Sequence, residues 1–94
     1  MEDLINKTVI INGKILNWRL IDGEVIFLNN KENVFYELNK TATCIWLNAD
    51  GKKTVREIIN CLSSEFLVDQ QEVKKDTIEF VAEAIKNKIF IFAK

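Results

Sequence analysis

The residue period of this chain changes at Asn39, and that change constrains the fold more than any other feature. Before it, "ILNWRLI" sets Leu16, Trp18 and Leu20 on one side and Asn17 and Arg19 on the other. Alternation with period two marks a half-buried strand. After it, Ala42, Ile45, Trp46 and Ala49 recur at helical spacing. Asn39 is a good N-cap, because its side-chain oxygen can accept from the first free backbone N–H groups of a helix. Strands first and helices afterwards imply an α+β arrangement, not an alternating α/β one.

The first block resolves into three strands. Asp22-Gly23 is a strong hairpin signal, since a two-residue turn needs positive φ. It leads into "EVIFLN", whose unbroken Val25-Ile26-Phe27-Leu28 run predicts a strand covered on both faces. "NNKEN" is a polar turn. "VFYEL" follows, with Val34, Tyr36 and Leu38 on one face and Phe35 and Glu37 on the other. Short turns between successive strands predict an antiparallel meander, and "TVII" (Thr8 to Ile11) is read as a short extra strand.

The second block resolves into three helices. Asp50-Gly51 stops the first. Thr54 and Glu57 form a capping box for the second, which carries Val55, Ile58, Ile59, Leu62 and Phe66 on one stripe. Asp69 and Glu72 resemble another box, with Val68 and Val73 as a hydrophobic staple. The third helix runs from about Gln70 to Asn87. "IFIFA" at the end is apolar enough to pack down on the domain. The expectation is a single domain over residues 1–94: an α+β fold with a three-stranded antiparallel meander followed by three helices.

Several functions are excluded by what the sequence lacks. The net charge is −1 and there is no histidine, so the commonest general base and metal ligand are both missing. Three glycines leave no phosphate loop. Cys44 and Cys61 are too far apart for a zinc or redox motif and are expected as free thiols. No run approaches the roughly 20 apolar residues of a membrane span. The acidic start "MEDLINKTVIING" is no signal peptide. The expectation is a cytoplasmic protein that is not an enzyme and carries no cofactor or metal. Asp76, Glu79 and Glu83 share one face of the third helix, a row better read as solvated surface than as an acid–base pair. The same row makes that helix a poor reader of DNA, which requires a surplus of Lys and Arg.

Two features point to protein or peptide binding. "VFYEL" is an outer strand of the meander with one charge and two aromatics, so its edge is weakly protected. An extended peptide can add to such an edge as a further strand. The third helix also has a wide apolar arc: Val73, Thr77, Phe80, Val81 and Ala84 form one stripe, and Ile78, Ala82, Ile85 and Ile89 another. A helix on a single core needs an arc of only about 100°. Either two packed layers enclose this helix, or one border of its arc lines a groove.

From Asp22 to Ile89 the order and spacing of these pieces resemble the PqqD-like family of RiPP recognition elements. The resemblance rests on Asp22-Gly23, Phe35-Tyr36, Leu38-Asn39, Ile45-Trp46, Asp50-Gly51, Thr54-Val55 with Glu57-Ile58, Val68-Asp69 with Val73, and Asp76. Ala42, Asn33, Gln70 and Lys88 depart from it, all at turns or caps. The resemblance implies a winged-helix-turn-helix-like domain that performs no chemistry. Such a domain binds the leader segment of a ribosomally made precursor peptide and presents it to a modifying enzyme or leader peptidase. Carried over by position, the strand contacts are Val34, Phe35, Tyr36 and Glu37. The helix contacts are drawn from Asp76, Glu79, Phe80 and Glu83, which suit a leader carrying Lys or Arg. Lasso-peptide biosynthesis is the first pathway implied. The alternatives are a peptide chaperone of PQQ biosynthesis serving a radical SAM enzyme, and a winged-helix DNA-binding regulator.

Overall fold

A computed structural model describes residues 2–66 and 68–93. A 3-10 turn, Glu2–Asn6, precedes strand β1 (Thr8–Ile11). Strands β2 (Leu16–Ile21), β3 (Glu24–Asn29) and β4 (Val34–Glu37) follow as the expected meander. Helix α1 (Lys40–Leu47) leads to β5 (Asp50–Thr54), α2 (Val55–Phe66), α3 (Gln70–Lys86) and β6 (Phe90–Phe92). The meander forms one antiparallel sheet in the order β2-β3-β4, and the remaining strands form a second, β5-β1-β6. None of the described helices is long and apolar enough to cross a membrane.

The second sheet extends the sequence expectation, which placed a helix stop and a cap where β5 lies and gave the "IFIFA" tail no regular structure. β5 reads "DGKKT" and has no apolar alternation. It is extended because β1 pairs with it, Thr8 opposite Thr54 and Ile10 opposite Asp50. Gly51 sits at φ +80°, and a Cβ there would meet Ile10 Cδ1 at 3.3 Å. β6 pairs with the other edge of β1, Ile10 opposite Ile91. β-pairing between segments so distant in sequence leaves no local signal.

The caps follow the sequence closely. Asn39 Oδ1 accepts from Ala42 N–H at 2.8 Å. Thr54 N–H donates to Glu57 Oε1 at 2.8 Å while Glu57 N–H donates to Thr54 Oγ1 at 3.2 Å. Asp69 caps α3 by accepting from Gln71 N–H, not from Glu72.

Trp46 is the hub of the core. It is fully buried and stacks on Phe27 at 4.6 Å between ring centroids. Phe90 tilts against it at 5.7 Å, and Phe80 meets Phe90 edge-on at 6.0 Å. The Val25 N–H donates to the buried Thr43 hydroxyl at 2.9 Å, which binds β3 to α1. Ile78, Ala82 and Ile85 pack against this core. That resolves the wide arc of α3: one side of it is core, and only the strip through Phe80 borders open space.

The meander is less covered than its sequence implies. Trp18 and Leu20 are 42% and 51% exposed, although Trp18 meets the buried Trp46 edge-on at 5.8 Å. In β3, Val25 and Phe27 are buried, whereas Ile26 and Leu28 on the opposite face are only half-buried.

Candidate functional site

Strand β4 pairs with β3, and among the described residues its other edge is free. The phase of the ladder decides which residues own that edge. Leu38 N–H donates to Val25 O at 2.9 Å, and β4 continues in the same register with Tyr36 opposite Phe27. Antiparallel pairs alternate between bonded and non-bonded. The Tyr36 main chain is therefore committed to Phe27, and the N–H and C=O groups of Phe35 and Glu37 face outward along the open edge.

The side chains divide the other way. Tyr36 lies on the inner face and stacks on Phe27 at 4.9 Å. Its hydroxyl donates to Glu32 Oε1 at 3.0 Å. That bond to a carboxylate, with the nearby negative charge, raises the phenol pKa above its ordinary value. Glu32 is placed by the turn before β4. There the buried Asn29 accepts from the Lys31 and Glu32 N–H groups through Oδ1, and Asn33 adopts a left-handed φ of +59°.

The C-terminal half of α3 faces this strand across a cavity of about 330 Å³. Phe27, Trp46, Leu38 and Ile89 supply apolar surface, and Tyr36 and Phe80 contribute one aromatic ring each from strand and helix. Glu32, Glu83, Asn29 and Asn87 are its polar lining. Asn87 Nδ2 donates to Glu83 O at 2.9 Å and to Glu83 Oε1 at 3.3 Å, which orients that carboxylate. The lining holds two carboxylates and no Lys or Arg. A cavity with this wall chemistry can take an apolar side chain and hold a cation at its rim.

The structure thus unites Tyr36, Phe80 and Glu83 of the eight residues singled out from sequence. Val34 shares the inner face of β4 but does not line the cavity. Phe35 and Glu37 present main chain to the open edge and direct their side chains to the outer face. Asp76 and Glu79 are exposed on α3 and lie outside the cavity lining. Glu32, Trp46, Asn87 and Ile89, like the lining residues Phe27, Asn29, Leu38 and Ala84, are not singled out by the sequence reading. Trp46 and Ile89 read as core positions, and Glu32 and Asn87 as a turn and a helix end.

No group of three potential metal ligands occurs among the described residues. Cys44 donates from Sγ to Glu65 Oε2 at 3.0 Å. Burial, then that bond, pushes its thiol up to about 12, which favours the protonated thiol over the thiolate at neutral pH.

Residues 24–89 match the family described as Coenzyme PQQ synthesis protein D (PqqD). The chain belongs to the PqqD family. It is 34% identical over 85 residues to the PqqA binding protein of Acinetobacter baylyi (strain ATCC 33305 / BD413 / ADP1), an overlap of 89% of this chain and 83% of that protein. Two solved structures share its fold. TbiB1 in complex with the TbiA(beta) leader peptide superposes with a TM-score of 0.76 at 22% identity, over 86% of this chain and 93% of that one. Lasso peptide synthetase B1 complexed with the leader peptide gives 0.76 at 17% identity, over 88% and 96%. In this PqqD-family chain the matched segment begins at β3 and ends at Ile89. It holds the β4 edge and all of α3, the two walls of the groove.

Proposed function

We propose that the chain is one peptide-recognition unit that binds the leader segment of a ribosomally synthesised precursor and delivers it to a separate modifying enzyme or leader peptidase. The observation that carries this reading is the pairing of an open main-chain edge at Phe35 and Glu37 with an aromatic groove shared by Tyr36 and Phe80. A leader strand bonds to the Phe35 and Glu37 main chain. Alternate side chains then fall over the groove. A large apolar side chain packs among Phe27, Tyr36, Trp46 and Phe80, and a neighbouring Lys or Arg meets Glu32 and Glu83. The contribution to catalysis is tethering, which raises the effective concentration of the core peptide at the enzyme. No bond is made or broken by this chain, and it needs no cofactor.

The pathway reading is lasso-peptide biosynthesis, supported by the fold shared with two leader-bound proteins of known structure. A second reading, the peptide chaperone of PQQ biosynthesis, is favoured by the 34% identity to a PqqA binding protein. The two differ in leader, not in mechanism.

Fluorescence anisotropy with labelled leaders of PqqA and of TbiA(beta) tests both. One leader is expected to bind saturably. Phe35→Pro removes an open-edge donor without touching the β3 ladder and is expected to abolish that binding. Tyr36→Pro is the wrong probe, since its N–H belongs to the ladder. Undiminished binding by the Phe35→Pro variant, with native circular dichroism, would refute strand addition at β4.

A further inference from the structure

We infer, resting on strand addition of a leader at β4, that the leader is read on both faces of the sheet. Phe35 and Glu37 then form a second side-chain subsite on the outer face, away from the groove. In a β-ladder, residues directly opposite one another point to the same face. The leader residue beside Tyr36 therefore falls over the groove. The residues beside Phe35 and Glu37 fall over the outer face, and these are the positions that the open main-chain groups of β4 hold. Strand addition cannot fill the groove without also setting two leader side chains against Phe35 and Glu37.

The chemistry of the outer face states what those two leader residues are. Register sets Leu28 next to Phe35 with Asn17 beyond it, and Ile26 next to Glu37 with Arg19 beyond it. In the first of these rows the apolar surface adjoins the open edge and the polar residue lies on the far strand. Phe35 is 69% exposed, more than any other large apolar side chain described. With the half-buried Ile26 and Leu28 it borders a shallow depression of about 430 Å³. The unbroken apolar run of β3 predicts cover on both faces, and the helices cover only one. An aromatic or β-branched leader residue beside Phe35 continues the row, covers the ring and supplies part of the missing cover. Glu37 makes no salt bridge among the described residues. Arg19, the cation of its row, stands two strands away, whereas a leader strand lies only about 4.8 Å from β4. The residue beside Glu37 is accordingly Lys or Arg. The leader thus carries a large apolar residue and a cation, both outward, separated by the one residue that enters the groove.

Anisotropy titration of the full chain with the labelled PqqA and TbiA(beta) leaders tests this, using variants that change side chains and leave the main-chain edge intact. Phe35→Thr keeps strand propensity and removes the ring, and is expected to weaken binding about fivefold. Glu37→Gln is expected to weaken it about threefold at low ionic strength and to change little in high salt. Alanine substitution along the leader then locates each contact. One leader position is expected to make the chain indifferent to Phe35→Thr. It should lie next to the position that couples to Tyr36→Ala, and two residues from the one that couples to Glu37→Gln. Circular dichroism checks that each variant is folded, and Glu37→Gln keeps the test decisive should Phe35→Thr misfold. Binding lost in Phe35→Pro but unchanged in Phe35→Thr and Glu37→Gln would overturn the outer subsite while strand addition stands. So would losses that are the same for every alanine-substituted leader. A chain that binds neither leader, or a folded Phe35→Pro variant that binds undiminished, would overturn strand addition and the outer subsite with it.

Discussion

Tyr36 and Phe27 stack with ring centroids 4.9 Å apart and planes 18° from parallel, and Phe27 in turn stacks on Trp46. The exposed strand is thereby fixed to the centre of the core by a run of rings. Its groove wall is formed before any ligand arrives, which reduces the ordering cost of binding. Tyr36→Ala is expected to weaken leader binding by about 2 kcal/mol, roughly 30-fold, the scale of an aromatic anchor. Tyr36→Phe keeps the stack and loses only the bond to Glu32, so its affinity is expected to stay within about threefold. Anisotropy titration of both variants with the leader found to bind separates ring from hydroxyl.

Thr77 lies fully buried in α3, and its Oγ1 has no hydrogen-bond partner. An unpaired buried hydroxyl is destabilising, and valine replaces it with an apolar group of nearly the same shape. Thr77→Val is expected to stabilise the fold by about 1 kcal/mol, read as a higher urea midpoint with an unchanged m-value.

Asp50 accepts from the Lys53 and Lys52 N–H groups and from Lys53 Nζ, at 2.9–3.0 Å. The Lys53 backbone bond leads these causes, and together they hold the carboxyl well below its ordinary 3.8. A depressed folded-state pKa means that the stabilisation is fully present above 3.8 and is lost as pH falls through the lower folded value. Asp50→Asn is therefore expected to lower stability at pH 7 by less than about 1 kcal/mol, since the site is solvent-screened. The gap to the unsubstituted chain should close as pH drops below 3.8. Urea titrations at pH 7 and pH 2.5 measure it.

The two thiols differ in environment. Cys61 is exposed and Cys44 is partly buried, with a thiol pushed up to about 12. Iodoacetamide at pH 8 is expected to label Cys61 first, with Cys44 slower by more than about an order of magnitude. Peptide mass spectrometry over a time course reads the two rates. Equal labelling would show that the Cys44–Glu65 bond does not protect the thiol.

The groove was half legible in the sequence. An alternating "VFYEL" with few charges marks a weakly protected edge wherever it occurs, and the strip through Phe80 and Glu83 follows from helical spacing. Strand alternation also predicts that Phe35 and Tyr36 lie on opposite faces, but not which of their main chains is free. That depends on the bond from Leu38 to Val25, a fact of register. Glu32 was illegible as a site residue because a turn glutamate is solvated in most proteins. It matters here only because the buried Asn29 bends its turn toward Tyr36.

Local chemistry determined the elements that carry their own signals. The Asp22-Gly23 hairpin, the Asn39 cap, the Thr54–Glu57 box and the three helices are all written within a few residues of where they form, because φ preference, capping and amphipathic period act over that range. Long-range pairing decided the rest. β5 is a strand because β1 lies beside it, and β6 because β1 offers its other edge. The groove exists because Trp46 and Phe90 hold α3 one aromatic layer away from β4. Those outcomes depend on surfaces that meet only after the chain has folded, so no window of sequence contains them.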